Sequence, residues 1–291
     1  MSNLGLIIAE RSRDIGDFLV GRLIPFRKKR MIGPFVFIDH MGPTQLGPAK
    51  YMDVDQHPHI GLSTLTYMLE GDIFHEDSIG TKQRITSGSV NLMVAGKGVS
   101  HSERTPNDLR NGHSFTAHGY QIWIALPKIL EDCSPEFHHI GASDLPQWKE
   151  GSANFKLIAG EGYGRVSPVP AHSPLFMIEI KNTSEFQLNT KDHLKGEIGI
   201  CIVDGSIIAC GQVVGKGNIL ISKVEDTCKT ILNPNSHLIL FGGAPLPEER
   251  HIFWNFVSSN KEKIENAKKA WLNKSFPMME NDESYVPLPR E

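Results

Sequence analysis

The stretch Ser87-Gly88-Ser89-Val90-Asn91-Leu92-Met93-Val94-Ala95-Gly96-Lys97-Gly98-Val99-Ser100-His101-Ser102-Glu103 decides the fold. A turn pair, Ser87-Gly88, leads into the alternating run Val90–Val94, which reads as a strand. The Ala95-Gly96-Lys97-Gly98 segment then lets the backbone turn closely around a small cavity before the dyad His101-Ser102-Glu103. An earlier dyad, His57-Pro58-His59, is followed by Gly61 and another β-rich run. In extended backbone, side chains two residues apart point to one face, about 7 Å from each other. Each dyad can therefore aim both heads at one point, and two such strands facing each other would hold an ion.

Three neutral imidazoles and one carboxylate form a site of borderline hardness. It suits Fe(II), Mn(II), Ni(II), Cu(II), Co(II) or Zn(II) better than Mg or Ca. A six-coordinate ion held by four groups keeps two positions for water, substrate or dioxygen. Thirteen histidines in 291 residues will form some pairs by chance, and His138-His139 looks like one of them. A lone His-x-His is more often decorative than ligating; here the second dyad and the glycines beside both favour ligation. His57, His59, His101 and Glu103 are the expected metal ligands. His40, His75, His113 and His118 are candidates for lining the pocket or orienting ligands.

Outward from the dyads, strand signals dominate. Thr64–Leu69 alternates polar and apolar and stops at Glu70-Gly71, and Gln121–Leu126 closes the first half before Pro127. From residue 128 to 153 the chain is polar and reads as a connecting segment. A second β-rich half follows, with runs at 155–159, 175–180, 198–203, 218–221 and 237–241. The spacing predicts an all-β, two-barrel chain: an N-terminal metal-binding barrel over 1–127, the connector over 128–153, and a second barrel over 154–291.

The halves rhyme: Met68-Leu69-Glu70-Gly71 with Ile202-Val203-Asp204-Gly205, and Ser87–Leu92 with Gly215–Leu220. A duplicated barrel produces that rhyme. The second half offers only His193 and Thr230 where the dyads should fall, so it is expected to lack metal. Ser259-Asn260-Lys261-Glu262 reads as a capping box, with Ile264, Ala267, Ala270 and Trp271 on one stripe of a docked helix. The tail after Phe276-Pro277 is expected to be mobile or draped on the surface, without a function.

Forty per cent hydrophobic and 22% charged residues with a net charge of -3 describe an ordinary globular chain, with no field that demands nucleic acid or anionic membrane. No run approaches the ~18 apolar residues of a membrane helix, and the short apolar start lacks a basic n-region. The four cysteines show no C-x-x-C spacing, and three lie in or beside apolar runs where a thiol packs as a small hydrophobe. The cytoplasm is the expected compartment. Gly211–Gly217 lacks the spacing and the Ser or Thr of a phosphate loop, and Gly160–Gly164 lacks the context of a dinucleotide fingerprint. No H-E-x-x-H or G-x-S-x-G occurs. Arg27-Lys28-Lys29-Arg30 reads as a solvated turn rather than a docking patch.

Taken in order, Gly33–Pro43, His57-Pro58-His59-Ile60-Gly61 through Gly71, His75-Glu76-Asp77-Ser78-Ile79-Gly80 and Ala95–Glu103 resemble the pirin family of the cupin superfamily. Gly243-Ala244-Pro245-Leu246 is similar to the family's end signature. The resemblance implies a bicupin: two antiparallel jelly-roll barrels with a C-terminal helix, and iron in the N-terminal barrel. It places the ligands at His57, His59, His101 and Glu103, and Fe(II) as the first expectation for the metal. Ile60, Ser87-Gly88-Ser89 and Leu92 depart from the family's usual residues and alter pocket polarity.

The resemblance further implies quercetin 2,3-dioxygenase activity, opening a flavonol with O2 and releasing carbon monoxide. Glu103 is the expected proton acceptor, and Phe35, Phe37, Leu92 and Met93 are expected to grip the flat substrate. The partners expected are thus a small aromatic substrate and O2, with no membrane and no direct nucleic-acid contact. The alternative is an iron-dependent, redox-responsive regulatory protein whose protein partner is unknown.

Overall fold

The computed structural model describes residues 5–14, 19–48, 50–222 and 229–289. The chain forms two compact units, one made of residues 1–11, 21–37 and 143–246, the other of residues 12–20, 38–142 and 247–291. The division differs from a connector at 128–153 followed by one C-terminal barrel. Part of that polar segment is strand: Glu136–Ile140 pairs with Val90–Val94, and Gln147–Glu150 pairs with Ala153–Gly162. The helix and tail belong to the unit that carries the dyads. Ile264, Ala267 and Trp271 bury in one cluster with Phe256, Phe276 and Ile60, the last of them remote in sequence and announced by no local pattern.

The remaining strand expectations hold. Strands span Leu62–Glu70, Val90–Val94, Phe115–Ala125, Ala153–Gly162, Leu175–Asn182, Glu197–Asp204, Asn218–Ser222 and His237–Gly243. The rhyme between halves is topological as well. Leu62–Glu70 ends at Gly71 (φ +77°) and pairs with Val90–Val94, while Glu197–Asp204 ends at Gly205 (φ +72°) and pairs with Asn218–Ser222. Only the interiors differ. In the first unit named, the alternating residues Phe155, Leu157, Phe176, Ile178, Ile200, Ile202, Leu238 and Leu240 fill the core with apolar side chains. In the other, Thr64, Thr66, Asn91 and the dyad histidines are buried on strands, so one part of its interior is polar, beside an apolar cluster that includes Met41, Met52, Met68 and Ile73.

The helix runs Lys261–Leu272 and is capped by Asn260, whose side chain accepts from the Glu262 N–H. The cap is one residue later than the Ser259 box predicts, because the Ser259 N–H donates instead to Glu131 Oε1 at 2.7 Å. The tail is neither loose nor merely draped. It lies along the Asp53–His59 strand, where the Val286 N–H donates to the Gln56 carbonyl at 2.9 Å. Cys201 packs as the expected small hydrophobe. Cys210 departs from that expectation: it sits in the tight turn between Ser206–Ala209 and Gln212–Gly215 and is disulfide-bonded.

Candidate metal centre

Strand Asp53–His59 forms the edge of a four-stranded sheet, the position where a strand proline such as Pro58 is tolerated. It pairs antiparallel with Val99–Arg104, placing His57 opposite His101 and His59 opposite Val99. Strand Ile73–Asp77 flanks Val99–Arg104 on the other side, with Asp77 opposite His101 and His75 opposite Glu103. Opposed residues share a face and the strand period is two, so both dyads project from one face, together with His75 and Asp77. Two glycines make the turns that lead away. Gly61 (φ +67°) would put a Cβ 2.0 Å from the Val257 carbonyl oxygen, and Gly96 (φ +48°) would put one 2.1 Å from that of Cys133.

The three dyad imidazoles converge. Ring centroids are 4.3 Å apart for His57 and His101, 5.1 Å for His59 and His101, and 5.2 Å for His57 and His59. Their ligating atoms lie within 4.8 Å of one another. Glu103 falls in a second such group, with His101 and His75, so His101 is common to both. His59 and His101 are fully buried, and His57 and Glu103 are each 8% exposed.

Backbone carbonyls set two of the tautomers. His57 Nδ1 lies 2.8 Å from the Asp55 carbonyl and His59 Nδ1 lies 3.2 Å from that of Asn255. A carbonyl only accepts, so each Nδ1 carries the proton and each Nε2 keeps its lone pair. The Nε2 atoms of His59 and His101 are buried without a hydrogen-bond partner. A buried orphan of this kind costs about 1–3 kcal/mol, and one cation between these nitrogens would satisfy both. The donor set fits a divalent transition ion.

Burial is the main electrostatic influence. It lowers the His57 pKa to about 4 and pushes His59 and His101 well below the usual imidazole range, with mutual repulsion adding to the effect. All three are therefore neutral near pH 7, the form that ligates. Burial raises Glu103 above the usual carboxylate range, although His75 and hydrogen bonds from Thr66 and Gln121 pull the other way.

A second sheet walls the site, and its register says which residues face inward. Phe137, Met93, Thr64 and Trp123 form one rung; His139, Asn91, Thr66 and Gln121 form the next on the same face. Trp123 meets the His59 ring edge-on at 5.0 Å, Phe137 lies 4.7 Å from His75, and Thr66 Oγ1 is 3.2 Å from Glu103 Oε1. Of the four expected apolar contacts, Met93 shares this face, whereas Leu92 pairs with Leu65 on the opposite one. Phe35 and Phe37 belong to the other unit, where Phe35 packs on Phe241 and Arg22 covers Phe37. Adjacent strand residues cannot both line one pocket, which excludes the pair Leu92 and Met93.

Trp123, Phe137, Thr66 and Gln121 are the residues that sequence reasoning misses. The signal for them is polar or aromatic alternation in strands whose two faces are both buried. His75 is buried beside His101. His40 and His118 form a separate pair, their Nε2 atoms 2.8 Å apart, with His40 stacked on Tyr120. His113 lies exposed in a loop, and His138 and His139 point to Glu136 and Asn91.

Two β-sandwich units, one lined by converging imidazoles and the other filled by apolar side chains, define a two-domain cupin. Residues 18–124 match the family model for pirin, and residues 175–277 match that for the pirin C-terminal cupin domain. The chain belongs to the pirin family. A pirin-like protein from Caulobacter vibrioides is 40% identical over 294 residues, covering 98% of this chain and 99% of that protein. The crystal structure of a quercetin 2,3-dioxygenase from Acinetobacter baumannii superposes with a TM-score of 0.88 at 31% identity, covering 99% of this chain and 96% of that one. The nickel(II) complex of the bacterial pirin YhhW from Escherichia coli shares the fold, with a TM-score of 0.62 at 19% identity over 83% of this chain and 100% of that one.

Proposed function

We propose that this chain is a metal-dependent dioxygenase of the pirin type, which opens a flavonol such as quercetin with O2 and releases carbon monoxide. The observation that carries the reading is the pair of buried, partnerless Nε2 atoms on His59 and His101, facing His57 and backed by Glu103. His57, His59, His101 and Glu103 would hold the ion, with Fe(II) first and Mn, Ni, Cu, Co or Zn as alternatives of similar softness. When bound, such an ion supplies Lewis acidity toward a substrate hydroxyl and an open position at which reactants meet.

The protein's own groups do the rest. Glu103, whose pKa burial raises, is the carboxylate placed to take the flavonol hydroxyl proton onto one of its oxygens. Thr66 and Gln121 hold that carboxylate in place; the single Thr66 proton serves either Glu103 at 3.2 Å or Gln121 Oε1 at 2.6 Å. Trp123, Phe137 and Met93 offer flat, apolar walls that exclude water and orient an aromatic ring. The similarity to the Acinetobacter quercetin 2,3-dioxygenase supports the substrate class. No observation favours the regulatory alternative: in the basic run 27–30, Lys29 is ion-paired with Glu197.

The test is anaerobic reconstitution with Fe(II), followed by quercetin and air, comparing the native chain with His101→Ala and Glu103→Gln while metal content is measured in parallel. Turnover lost in both variants is expected. Turnover retained in both removes the mechanism, and iron bound by the native chain without any turnover removes the dioxygenase.

A further inference from the structure

His101 differs from the other two imidazoles because no backbone carbonyl fixes its proton. Its Nδ1 instead lies 3.3 Å from His75 Nδ1, and His75 Nε2 lies 3.1 Å from Asp77 Oδ2. All three residues are buried, at 0%, 3% and 5% exposure. The far end of the chain is anchored: Asp77 Oδ1 accepts the backbone N–H groups of Ile79 at 3.1 Å and Thr81 at 2.8 Å. The segment His75-Glu76-Asp77-Ser78-Ile79-Gly80 thus ends in a turn that clamps a carboxylate.

We infer that Asp77 and His75 are positioning residues that fix the metal-facing tautomer of His101. This rests on the reading that His57, His59, His101 and Glu103 hold a metal. Each link has one direction. The Asp77 carboxylate only accepts, so His75 donates from Nε2 and is left with a lone pair on Nδ1. That lone pair accepts from Nδ1–H of His101, which leaves His101 Nε2 unprotonated toward His57 and His59. An outer partner of this kind orients the ring as well as choosing its tautomer. The chain assigns His75 a role other than ligand, since both of its nitrogens are committed.

Asp77→Asn tests the polarity of the chain with little change of shape. The substituted carboxamide can still accept the Ile79 and Thr81 amides through its oxygen while presenting N–H to His75. His75 must then carry its proton on Nδ1 and donate to His101, which moves the His101 proton to Nε2, onto the metal-facing atom. The readouts are the 15N imidazole resonances of the chelator-treated full chain and Co(II) affinity by chelator competition.

In the native chain, His101 is expected to be protonated at Nδ1. In Asp77→Asn it is expected to be protonated at Nε2, with Co(II) affinity about 10- to 100-fold weaker and an unchanged unfolding midpoint. His75→Phe should also weaken Co(II), with the remaining d–d bands keeping the native ligand count. Native Co(II) binding with unaltered affinity and His101 tautomer in Asp77→Asn overturns the inference and leaves the metal centre standing. Failure of the native chain to bind Co(II) overturns both. If Asp77→Asn does not fold, the native spectrum decides alone, and a proton on His101 Nε2 there refutes the assignment.

Discussion

Gln56 and Ser284 are joined twice: the Gln56 backbone N–H donates to Ser284 Oγ at 3.1 Å, and Gln56 Nε2 donates to the Ser284 carbonyl at 3.2 Å. Gln56 precedes the His57-Pro58-His59 dyad and is fully buried. Its Nε2 also donates to the Asp282 carbonyl, and its Oε1 accepts from Ser100 Oγ and the Met279 N–H. The tail therefore covers the open edge of the Asp53–His59 strand and ties it to the strand bearing His101.

Gln56→Ala would orphan several buried donors and acceptors at once. An unfolding free energy lower by about 3 kcal/mol is expected, since each orphan costs about 1–3 kcal/mol. Truncation after Pro277 should produce a comparable loss and weaken metal uptake, because strand 53–59 is no longer held on its outer side. Urea denaturation and chelator competition measure the two effects; a truncated chain with native stability and native affinity would show that the tail is only draped.

Gly61 makes a sharper demand. It follows His59 by two residues, lies at φ +67°, and leaves no room for a Cβ beside the Val257 carbonyl. Gly61→Ala must move the backbone that aims the first dyad, at a cost of about 2 kcal/mol or more. Both a lower melting temperature and a lower metal affinity are expected, while Gly215→Ala, at a position outside the left-handed region with nothing within 4 Å of the added atom, serves as the control.

The shared face of each dyad is legible in the sequence because a period of two holds along any strand, whatever the strand packs against. His57 with His59 and His101 with Glu103 need no tertiary information to share a face. Trp123, Phe137, Thr66 and Gln121 do need it, since they reach the site from a different sheet and only cross-strand register aligns them. Asp77 and His75 lie within the run His75–Gly80, yet their approach to His101 depends on strand 73–77 lying beside 99–104. The unit boundaries were illegible for the same reason. Trp271 packs on Phe256 and Phe276 in the dyad-bearing unit, and chain order alone assigns it to the second barrel.

Stability should depend on acid through Glu179 in the apolar-cored unit. Burial alone would raise this carboxyl, but the hydrogen bond from His237 at 2.8 Å and the charge of Lys181 at 2.9 Å outweigh it and hold the pKa at about 2. A depressed folded-state pKa contributes stability above the unfolded value near 4.5, and that contribution disappears as pH falls from there through about 2. The contribution at neutral pH is about 3 kcal/mol as an upper figure. Glu179→Gln removes it at every pH, so the stability gap between native and variant chains, measured in urea, should close between pH 5 and pH 2. A gap that stays constant across that range would mean the carboxyl is not held down.

Arg250 and Glu131 test the link between the polar 128–153 segment and the closing helix. The Arg250 side chain is fully buried and lies 3.4 Å from Glu131 Oε1, while its Nη2 donates to the Leu126 carbonyl at 3.0 Å. Glu131, 1% exposed at its side chain, also accepts Ser258 Oγ and the Ser259 N–H, each at 2.7 Å, so it holds the chain at the start of the helix. Removing one partner of a buried pair costs about 3 kcal/mol here, the lower end for such pairs, because Lys263 Nζ remains 3.5 Å from Glu131 Oε2. Arg250→Ala should therefore destabilise the chain by that amount, whereas Arg250→Met with Glu131→Gln should recover part of the loss because the Ser258 and Ser259 donors keep an acceptor. Equal stability of the single and double variants in urea would show that the two charges are not coupled.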